Sequence, residues 1–365
     1  MRNFSQTKRV VIKIGTSTLT KDSSVDRGYV RNIAKQVAAL HEQGKQVVLV
    51  SSGAIGMGAM QLGRTQAIKE TKMRQACAAI GQPLLMAEYK KAFARYQLTV
   101  GQVLLTAEVL DHRQTYLNLR NAIETLLKLR VVPIINENDC VSTEEIGSAF
   151  GDNDRLSALV ASKIDADLLI VLTDIDALYD KNPRAHKDAQ PITTVFEISD
   201  TLLKNAGDKG SRHATGGMKT KLEAARIAAS AGCRVVLAQG RTKEVVTRIV
   251  AGDSLGTIFL PKQRLSNRQR WILNSKSSGT IRVDEGALQA LRKRKSLLPS
   301  GIQTVEGSFE AGAVVLLNDN AKAVVSLSSA QIEALAGKHS TEIKKQLGPQ
   351  HRDVIAIPED IVVFD

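Results

Sequence analysis

Short apolar runs alternate with longer amphipathic segments through the first 260 residues of the chain. Runs rich in Val, Ile and Leu predict six strands: Val10–Ile14, Gln46–Val50, Thr99–Leu104, Val131–Ile135, Asp167–Leu172 and Arg234–Ala238. Continuous apolar runs of this kind are typical of strands buried on both faces of a parallel sheet. The segments between them predict helices near 26–43, 71–95, 114–129, 154–164, 217–231 and 242–250.

This alternation predicts an α/β fold, a three-layer sandwich around a largely parallel sheet. Gly44 and Gly232 support it, because each stands where the C-cap of a predicted helix is expected. In open parallel sheets, ligands bind beyond the carboxyl ends of the strands. A functional site is therefore expected in the loops that follow the strands.

The pattern changes after Leu260. Pro261 to Arg270 is polar and basic, and short glycine-punctuated segments follow, of which Thr280–Val283 and Ala313–Leu317 predict strands. We therefore expect a large α/β domain over 1–260, a linker over 261–274 and a small β-rich domain over 275–365.

Composition narrows the class of protein. The hydrophobic content of 43% and the charged content of 24% are those of a globular protein with a sizeable core. No run approaches the roughly 18 apolar residues of a membrane span, and the first residues lack a signal-peptide pattern, so we expect a cytoplasmic protein without a membrane partner. Cys77, Cys140 and Cys233 are widely spaced, which predicts free thiols and no metal site built from protein ligands.

The net charge of +13 has two interpretations, a nucleic-acid surface or a general field that favours anionic ligands. Residues 1–269 carry 38 basic and 26 acidic side chains, whereas residues 270–365 carry 12 and 11. The excess therefore lies in the larger part, and the distribution does not favour a polyanion-binding tail.

Two of the predicted strands lead into loops suited to phosphate. Lys13 lies inside an apolar strand and is followed by Gly15, Thr16 and Ser17, whose N–H and hydroxyl groups can bind an anion. A lysine that only extends its ammonium to solvent is the alternative interpretation. After Gln46–Val50 comes Ser51-Ser52-Gly53-Ala54-Ile55-Gly56, where small residues allow close approach of a ligand, or where the chain simply turns into a helix.

The most polar loop region follows the strand Val131–Ile135. It contains two tetrads, Asn136-Glu137-Asn138-Asp139 and Gly151-Asp152-Asn153-Asp154, and the second opens a helix. Its side chains are suited to three roles, which are capping that helix, holding a substrate ammonium and orienting lysines.

Two further loops are candidates for nucleotide contacts. Thr173-Asp174 ends a strand, where a helix N-cap is the alternative interpretation. Thr215-Gly216-Gly217-Met218-Lys219-Thr220-Lys221 leads into a helix whose dipole and two lysines would act together on a polyphosphate. The chain lacks the GxxxxGK[ST] loop, the HRD and DFG motifs, HExxH and GxSxG, which excludes the P-loop and protein-kinase routes to phosphoryl transfer.

Taken together, these loops resemble those of the glutamate 5-kinase family, within the amino acid kinase superfamily. The resemblance rests on VIKIGTSTLT, SSGAIGMG, VVPIINEND, FGDNDRLSALVA, LLIVLTDIDALYD and TGGMKTK, which occur in this order over about 1–260. The tail, with SGTIRVDEGALQAL, SLLPSGI and VEGSFEAGAVV, resembles the PUA domain that many members carry.

The resemblance implies a role for each matching residue. Lys13, Lys221 and Asp154 would be catalytic, with the lysines on the ATP phosphates and Asp154 positioning them. The ATP site would comprise Lys13, Gly15, Thr16, Thr173, Asp174, Thr215, Gly216, Gly217, Met218, Lys219, Thr220 and Lys221. The glutamate site would comprise Ser52, Gly53, Ala54, Asp139 and Asn153. Mg²⁺ would accompany ATP, held largely by phosphate oxygens.

The resemblance also implies partners and regulation: feedback inhibition by proline, a homo-oligomer (dimer or tetramer) and coupling to glutamyl phosphate reductase. Some positions depart from the family pattern, namely Ala177, Asn182 and Ala214 near the nucleotide loops and Ala323–Ser328, which lacks a glycine, in the tail. Two alternatives remain open. One is a kinase of aspartate, acetylglutamate or a carbamate-like substrate, and the other is an RNA-binding protein acting through the tail.

Overall fold

The computed structural model describes residues 2–364 apart from 22–23, 65, 67, 69, 107–108, 110–112, 142–152, 182, 184, 206–216, 262–265 and 340–353. The chain divides into two compact units, Met1–Arg264 and Leu265–Asp365. Within the described ranges, every helix is too short or too polar to cross a lipid bilayer.

The first unit is built around one large sheet. Its strands in chain order are β1 (Arg9–Ile14), β2 (Thr20–Lys21), β3 (Ser24–Val25), β4 (Gln46–Ser51), β5 (Val100–Leu105), β6 (Val132–Glu137), β7 (Leu168–Thr173), β8 (Leu178–Tyr179), β9 (Pro191–Ile192), β10 (Thr194–Val195), β11 (Arg234–Gln239) and β12 (Thr257–Phe259). The sheet has eight strands in the order β10-β12-β11-β7-β1-β4-β6-β5. All neighbouring pairs are parallel except β11 with β12.

The helices of this unit are α1 (Thr16–Leu19), α2 (Arg27–Glu42), α3 (Ala54–Gln61), α4 (Thr71–Ala94), α5 (Arg113–Lys128), α6 (Asp154–Lys163), α7 (Asp200–Asn205), α8 (Met218–Ser230) and α9 (Val245–Ala251). Each of the six predicted strands and six predicted helices is present, with ends that differ from the prediction by at most three residues. Gly44 and Gly232 follow helix ends with φ of 74° and 78°, which confirms the predicted C-caps.

Two hydrophobic cores cover the two faces of the sheet, as a three-layer sandwich requires. Along β1, Val10, Ile12 and Ile14 pack in the core that contains residues of α2, α4 and α9. Val11 packs in the other core, with residues of α5, α6 and α8. Because side chains alternate across a strand, Lys13 lies on the same face as Val11. The predicted fold class is confirmed.

The structure adds elements that the apolar pattern did not predict. Strands β10 and β12 are only two and three residues long, at the edge of the sheet. Strands this short carry too few side chains for a period to be recognised, and their pairing depends on neighbours distant in the chain.

The second unit has its own sheet and core. Its strands β13 (Thr280–Val283), β14 (Ile302–Glu306), β15 (Val314–Leu317), β16 (Ala321–Val324) and β17 (Ile361–Val363) are ordered β14-β13-β15-β16-β17. Its helices are α10 (Asn267–Asn274), α11 (Glu285–Arg292) and α12 (Ser329–Leu335), and 3₁₀ turns lie at Pro299–Gly301 and Pro358–Asp360. Helix α10 lies in the segment predicted as a linker, where Ser266 and Gln269 form a capping box.

Helices α3 and α4 are in backbone contact, which only glycine allows. A Cβ atom added at Gly58 of α3 would lie 1.8 Å from the carbonyl oxygen of Cys77 on α4. One added at Gly81 of α4 would lie 1.8 Å from the carbonyl oxygen of Ala54, at the start of α3. The first half of α3, directly after the loop that follows β4, is therefore held against α4 by these two contacts.

We predict opposite effects for two alanine substitutions in α3. Gly58→Ala should lower the free energy of unfolding by about 1–3 kcal/mol, because a backbone carbonyl blocks the new methyl group. Gly56→Ala is the matched control, since nothing lies within 4 Å of its added Cβ. It should be neutral or stabilising by about 0.5–1 kcal/mol, as alanine favours helix over glycine. Urea unfolding of both variants measures this, and equal effects would contradict the close contact.

Candidate active site

The polar loops meet at one edge of the sheet. Strands β7, β1, β4 and β6 are consecutive neighbours and parallel, so their carboxyl ends point the same way. The register aligns Ile14 at the end of β1 with Ser51 of β4 and Leu172 of β7. The residues that follow these strands are therefore close together, although they are far apart in the chain.

Lys13, Asp154 and Lys221 form a buried charge cluster. The Lys13 ammonium lies 2.7 Å from Oδ1 of Asp154, and the Lys221 ammonium lies 3.1 Å from Oδ2. Their side chains are 1%, 0% and 8% exposed. Among the described residues, one carboxylate thus faces two buried ammonium groups, a set of charges suited to binding an anionic ligand.

Each member of this cluster comes from a different element. Lys13 is the next-to-last residue of β1, Asp154 is the first residue of α6, and Lys221 lies in the first turn of α8. Asp154 also lies at a helix N-terminus, where a negative charge is stabilised by the helix dipole. Of the three roles that the sequence left open for the second tetrad, the orientation of lysines matches the observed contacts of Asp154.

Asn153 connects β4, β6 and α6. Its backbone adopts φ 62° and ψ 8°, and its side chain does not cap α6. Instead, its Nδ2 donates to the carbonyl oxygen of Ser51 at 2.6 Å and to Oδ1 of Asn136 at 2.8 Å, and lies 3.3 Å from Oγ of Ser52. The structure thus brings Ser52 and Asn153, both predicted for the glutamate site, into contact.

The loop after β4 turns into α3 at Gly53. Gly53 has φ 97°, and a Cβ there would lie 3.3 Å from the Leu19 side chain. Ser52 and Ala54 are buried beside it. The N-cap residue of α3 is this glycine, which has no side chain to accept hydrogen bonds from the N–H groups of the first turn.

The predicted nucleotide residues lie on the neighbouring strand ends. Gly15 precedes the one-turn helix α1, which begins with Thr16, and its N–H donates to the Leu172 carbonyl at 3.3 Å. Thr173 ends β7 and its hydroxyl donates to the exposed Asp174 carboxylate at 3.0 Å. Bends follow Asp174, so the alternative that this pair caps a helix is wrong.

The two lysines of helix α8 differ in their exposure to solvent. Lys221 is buried against Asp154, whereas Lys219 is exposed. Gly217 is the N-cap residue, Met218 is half-buried, and the Thr220 hydroxyl donates to the Gly217 carbonyl at 2.7 Å. Thr215 and Gly216 lie outside the described residues, as do the departures Ala214 and Asn182. Ala177 is buried.

Asp139 has an altered acidity. It is half-buried after β6, and burial raises the pKa of its carboxyl to about 6, although the charge of Arg74 acts in the opposite direction. The neighbouring Cys140 is an exposed free thiol. Partial burial of its sulfur and the negative charge of Asp139 both raise the pKa of this thiol. Among the described residues, no group of three or more His, Cys, Asp or Glu side chains is placed to hold a metal ion.

The sequence did not single out the contributions of α4. Gln82 accepts a hydrogen bond from Nδ2 of Asn136 at 2.9 Å, and the Tyr89 and Ser51 hydroxyls are 2.9 Å apart. Gln82 and Tyr89 are seven residues apart on one helix, which places them on the same face. Gln82 stands within the otherwise small and apolar run Ala78–Leu85, and this isolated polar residue is the sequence signal that could have indicated its role.

Comparison with known proteins is consistent with this geometry. The profile of the amino acid kinase family matches residues 8–239, and that of the PUA domain matches residues 279–347. Carbamate kinase from Giardia lamblia bound to AMP-PNP superposes with a TM-score of 0.51 and 17% identity, over 70% of this chain and 99% of that chain, which supports the fold alone. The fold and the profiles define an amino acid kinase with an appended PUA domain.

Relatives at higher identity show which family of amino acid kinases the chain belongs to. Glutamate 5-kinase of Methanosarcina mazei is 45% identical over 375 residues, spanning 99% of this chain and 97% of that protein. Glutamate 5-kinase of Methanococcoides burtonii is 46% identical over 363 residues, spanning 98% and 97%. The chain belongs to the glutamate 5-kinase family.

We predict that Asp154→Asn strongly destabilises the fold. The substitution leaves two buried ammonium groups without their carboxylate, which should lower the free energy of unfolding by about 3–5 kcal/mol. Asp253→Asn is the matched control, because Asp253 pairs with Arg248 at 2.7 Å on the surface. Its loss should be about 1 kcal/mol or less. Urea unfolding compares the two, and a similar small loss for both would contradict a cluster held together by charge.

Proposed function

We infer that the chain transfers the γ-phosphoryl group of ATP to the side-chain carboxylate of L-glutamate. The product is L-glutamyl 5-phosphate, and the reaction is the first step of proline biosynthesis. The observation that carries this inference is the 45% identity to a glutamate 5-kinase over 99% of the chain. The buried Lys13–Asp154–Lys221 cluster supports it, because this reaction needs positive charge at its centre.

No general base is required for this reaction. The glutamate side chain has an ordinary pKa of about 4.3, so it is already ionised at neutral pH. One of its oxygens attacks the γ-phosphorus, the bond from that phosphorus to the β,γ-bridging oxygen breaks, and ADP leaves with the electron pair. The free-energy barrier comes largely from bringing the anionic carboxylate of glutamate close to the polyanionic triphosphate of ATP.

Lys13 and Lys221 would reduce this repulsion. Their ammonium groups lie within 3.1 Å of one carboxylate, so both can face the same phosphates and stabilise the charge of the transferred group. Asp154 would hold them in position. Gly15, Thr16, Thr173, Asp174 and residues 215–221 would bind the remainder of ATP.

The glutamate site would lie at Ser52, Gly53, Ala54, Asp139 and Asn153. The first-turn N–H groups of α3 suit a carboxylate of the substrate, as helix N-termini generally do. The Asp139 carboxylate suits its ammonium group. The contact between Asn153 and Ser52 supports a shared pocket.

Mg²⁺ would enter with ATP and add positive charge at its phosphates. The one buried carboxylate of the cluster, Asp154, contacts two lysines and is not free for a metal ion. This fits a cation held mainly by phosphate oxygens and water, as is usual for Mg²⁺ at nucleotides.

The family resemblance alone supports several finer proposals. These are a homo-oligomer, feedback inhibition by proline and coupling to glutamyl phosphate reductase. A cytoplasmic location stays a prediction from the sequence.

Trapping of the acyl phosphate tests the reaction. With ATP, Mg²⁺, glutamate and hydroxylamine, we expect ADP and glutamyl hydroxamate in equal amounts, and little product from aspartate or acetylglutamate. Lys221→Ala should lower kcat on the order of 10²–10³-fold, because a charge that stabilises the transition state is lost. Lys35→Ala is the control, since Lys35 is 64% exposed on the surface. Absence of hydroxamate from the wild type, or near-normal turnover by Lys221→Ala, would contradict the proposal.

The acidity of Asp139 predicts a pH dependence. Its pKa of about 6 means that the carboxyl becomes neutral as the pH falls through 6, and a neutral group no longer attracts the substrate ammonium. The kcat/KM for glutamate should then fall about tenfold per pH unit below this value. Asp139→Asn should have a low kcat/KM at every pH, without a break near 6. A break that persists in Asp139→Asn would assign the titration to another group.

A further inference from the structure

A chain of three buried amide side chains runs from α4 to the loop after β4. Gln82 Oε1 accepts from Asn136 Nδ2 at 2.9 Å, and Asn136 Oδ1 accepts from Asn153 Nδ2 at 2.8 Å. The Asn153 Nδ2 also donates to the Ser51 carbonyl at 2.6 Å. The three side chains are 7%, 3% and 7% exposed, so solvent contributes little to their orientation.

Two backbone groups determine which way each amide points. The Ser51 carbonyl can only accept, so the nitrogen of Asn153 must face it. The Glu137 N–H can only donate, at 2.9 Å, so the oxygen of Asn136 must face that group. The nitrogen of Asn136 then faces Gln82, which must present its oxygen.

Gln82 is held on a rigid support. The preceding residue, Gly81, lies in backbone contact with Ala54, so α4 cannot shift relative to the start of α3 without a clash. The Nε2 of Gln82 has no hydrogen-bond partner among the described residues. The described hydrogen bonding of this buried amide is therefore made by its oxygen, while the unsatisfied nitrogen lowers stability.

We propose that Gln82 is a positioning residue of the glutamate site. Its oxygen orients Asn136, which in turn orients Asn153 beside Ser52. Gln82 acts through other residues and is not a catalytic residue. The proposal rests on the proposed function, because it assigns the pocket at Ser52 and Asn153 to glutamate. It predicts a larger effect on the affinity for glutamate than on that for ATP, since the chain of amides ends at the Ser51 carbonyl and beside Ser52, the residue assigned to glutamate.

Two substitutions test the proposal in the full chain. Gln82→Met keeps the length of the side chain and removes the amide. Gln82→Asn keeps the amide and withdraws it by about one C–C bond, ~1.5 Å, beyond the reach of Asn136. Both should raise the glutamate KM about tenfold, the order expected for one lost buried hydrogen bond. The ATP KM should change less than twofold, and kcat at saturating glutamate should change little.

Gln36 supplies the matched controls. It is 2% exposed on α2, and its Oε1 accepts from the Val246 N–H at 2.8 Å, at the start of α9. Gln36→Met and Gln36→Asn make the same chemical changes at a buried amide that none of the site residues contacts. They should lower the melting temperature and leave the glutamate KM within twofold of the wild type.

The results distinguish failure of the proposed kinase activity from failure of the positioning role of Gln82. If wild-type protein forms no glutamyl hydroxamate, the proposed function fails. If it does and Gln82→Asn keeps a wild-type glutamate KM, the positioning role is overturned. Equal increases for the Gln82 and Gln36 variants, or equal increases in the glutamate and ATP KM, would also overturn it. Gln82→Asn retains a polar side chain, and it decides the question if Gln82→Met does not fold.

Discussion

The candidate active site depends on one buried carboxylate held between two ammonium groups. Asp154 is fully buried and pairs with Lys13 and Lys221, which are far apart in the chain. Removing three charges from water is costly, and their close mutual contact offsets this cost. The arrangement therefore requires β1, α6 and α8 to meet with little freedom, and it places two ammonium groups at the carboxyl ends of the strands.

The two layers of helices contact the end of β4 from opposite sides of the sheet. Asn153, at the start of α6, binds the carbonyl of Ser51, while Tyr89 of α4 lies 2.9 Å from the Ser51 hydroxyl. Burial raises the pKa of Tyr89 to about 12, so it stays a neutral phenol at physiological pH. The end of β4 is thus held from both sides, as a binding loop without long side chains of its own requires.

The charge of the chain agrees with this chemistry. Its excess of basic residues lies in residues 1–269, with 38 basic and 26 acidic side chains, and this part contains the candidate site. The PUA unit has its own five-stranded sheet and nearly balanced charge. A field of this kind raises the local concentration of anions but does not define a fold or a specific partner.

The sequence by itself determined the fold class, the six longest strands of the large sheet and the loops that form the candidate site. Continuous Val, Ile and Leu runs such as Val10–Ile14 carry that information locally, because a strand covered on both faces needs apolar side chains at every position. Local patterns could not decide which lysine faces Asp154, since Lys219 and Lys221 differ only in their direction around one helix turn. Nor could they reveal Gln82 or the short strand β12. Gln82 contacts a residue 54 positions away, and β12 pairs with residues of β11 that are 20 or more positions away. Only tertiary packing brings those groups together.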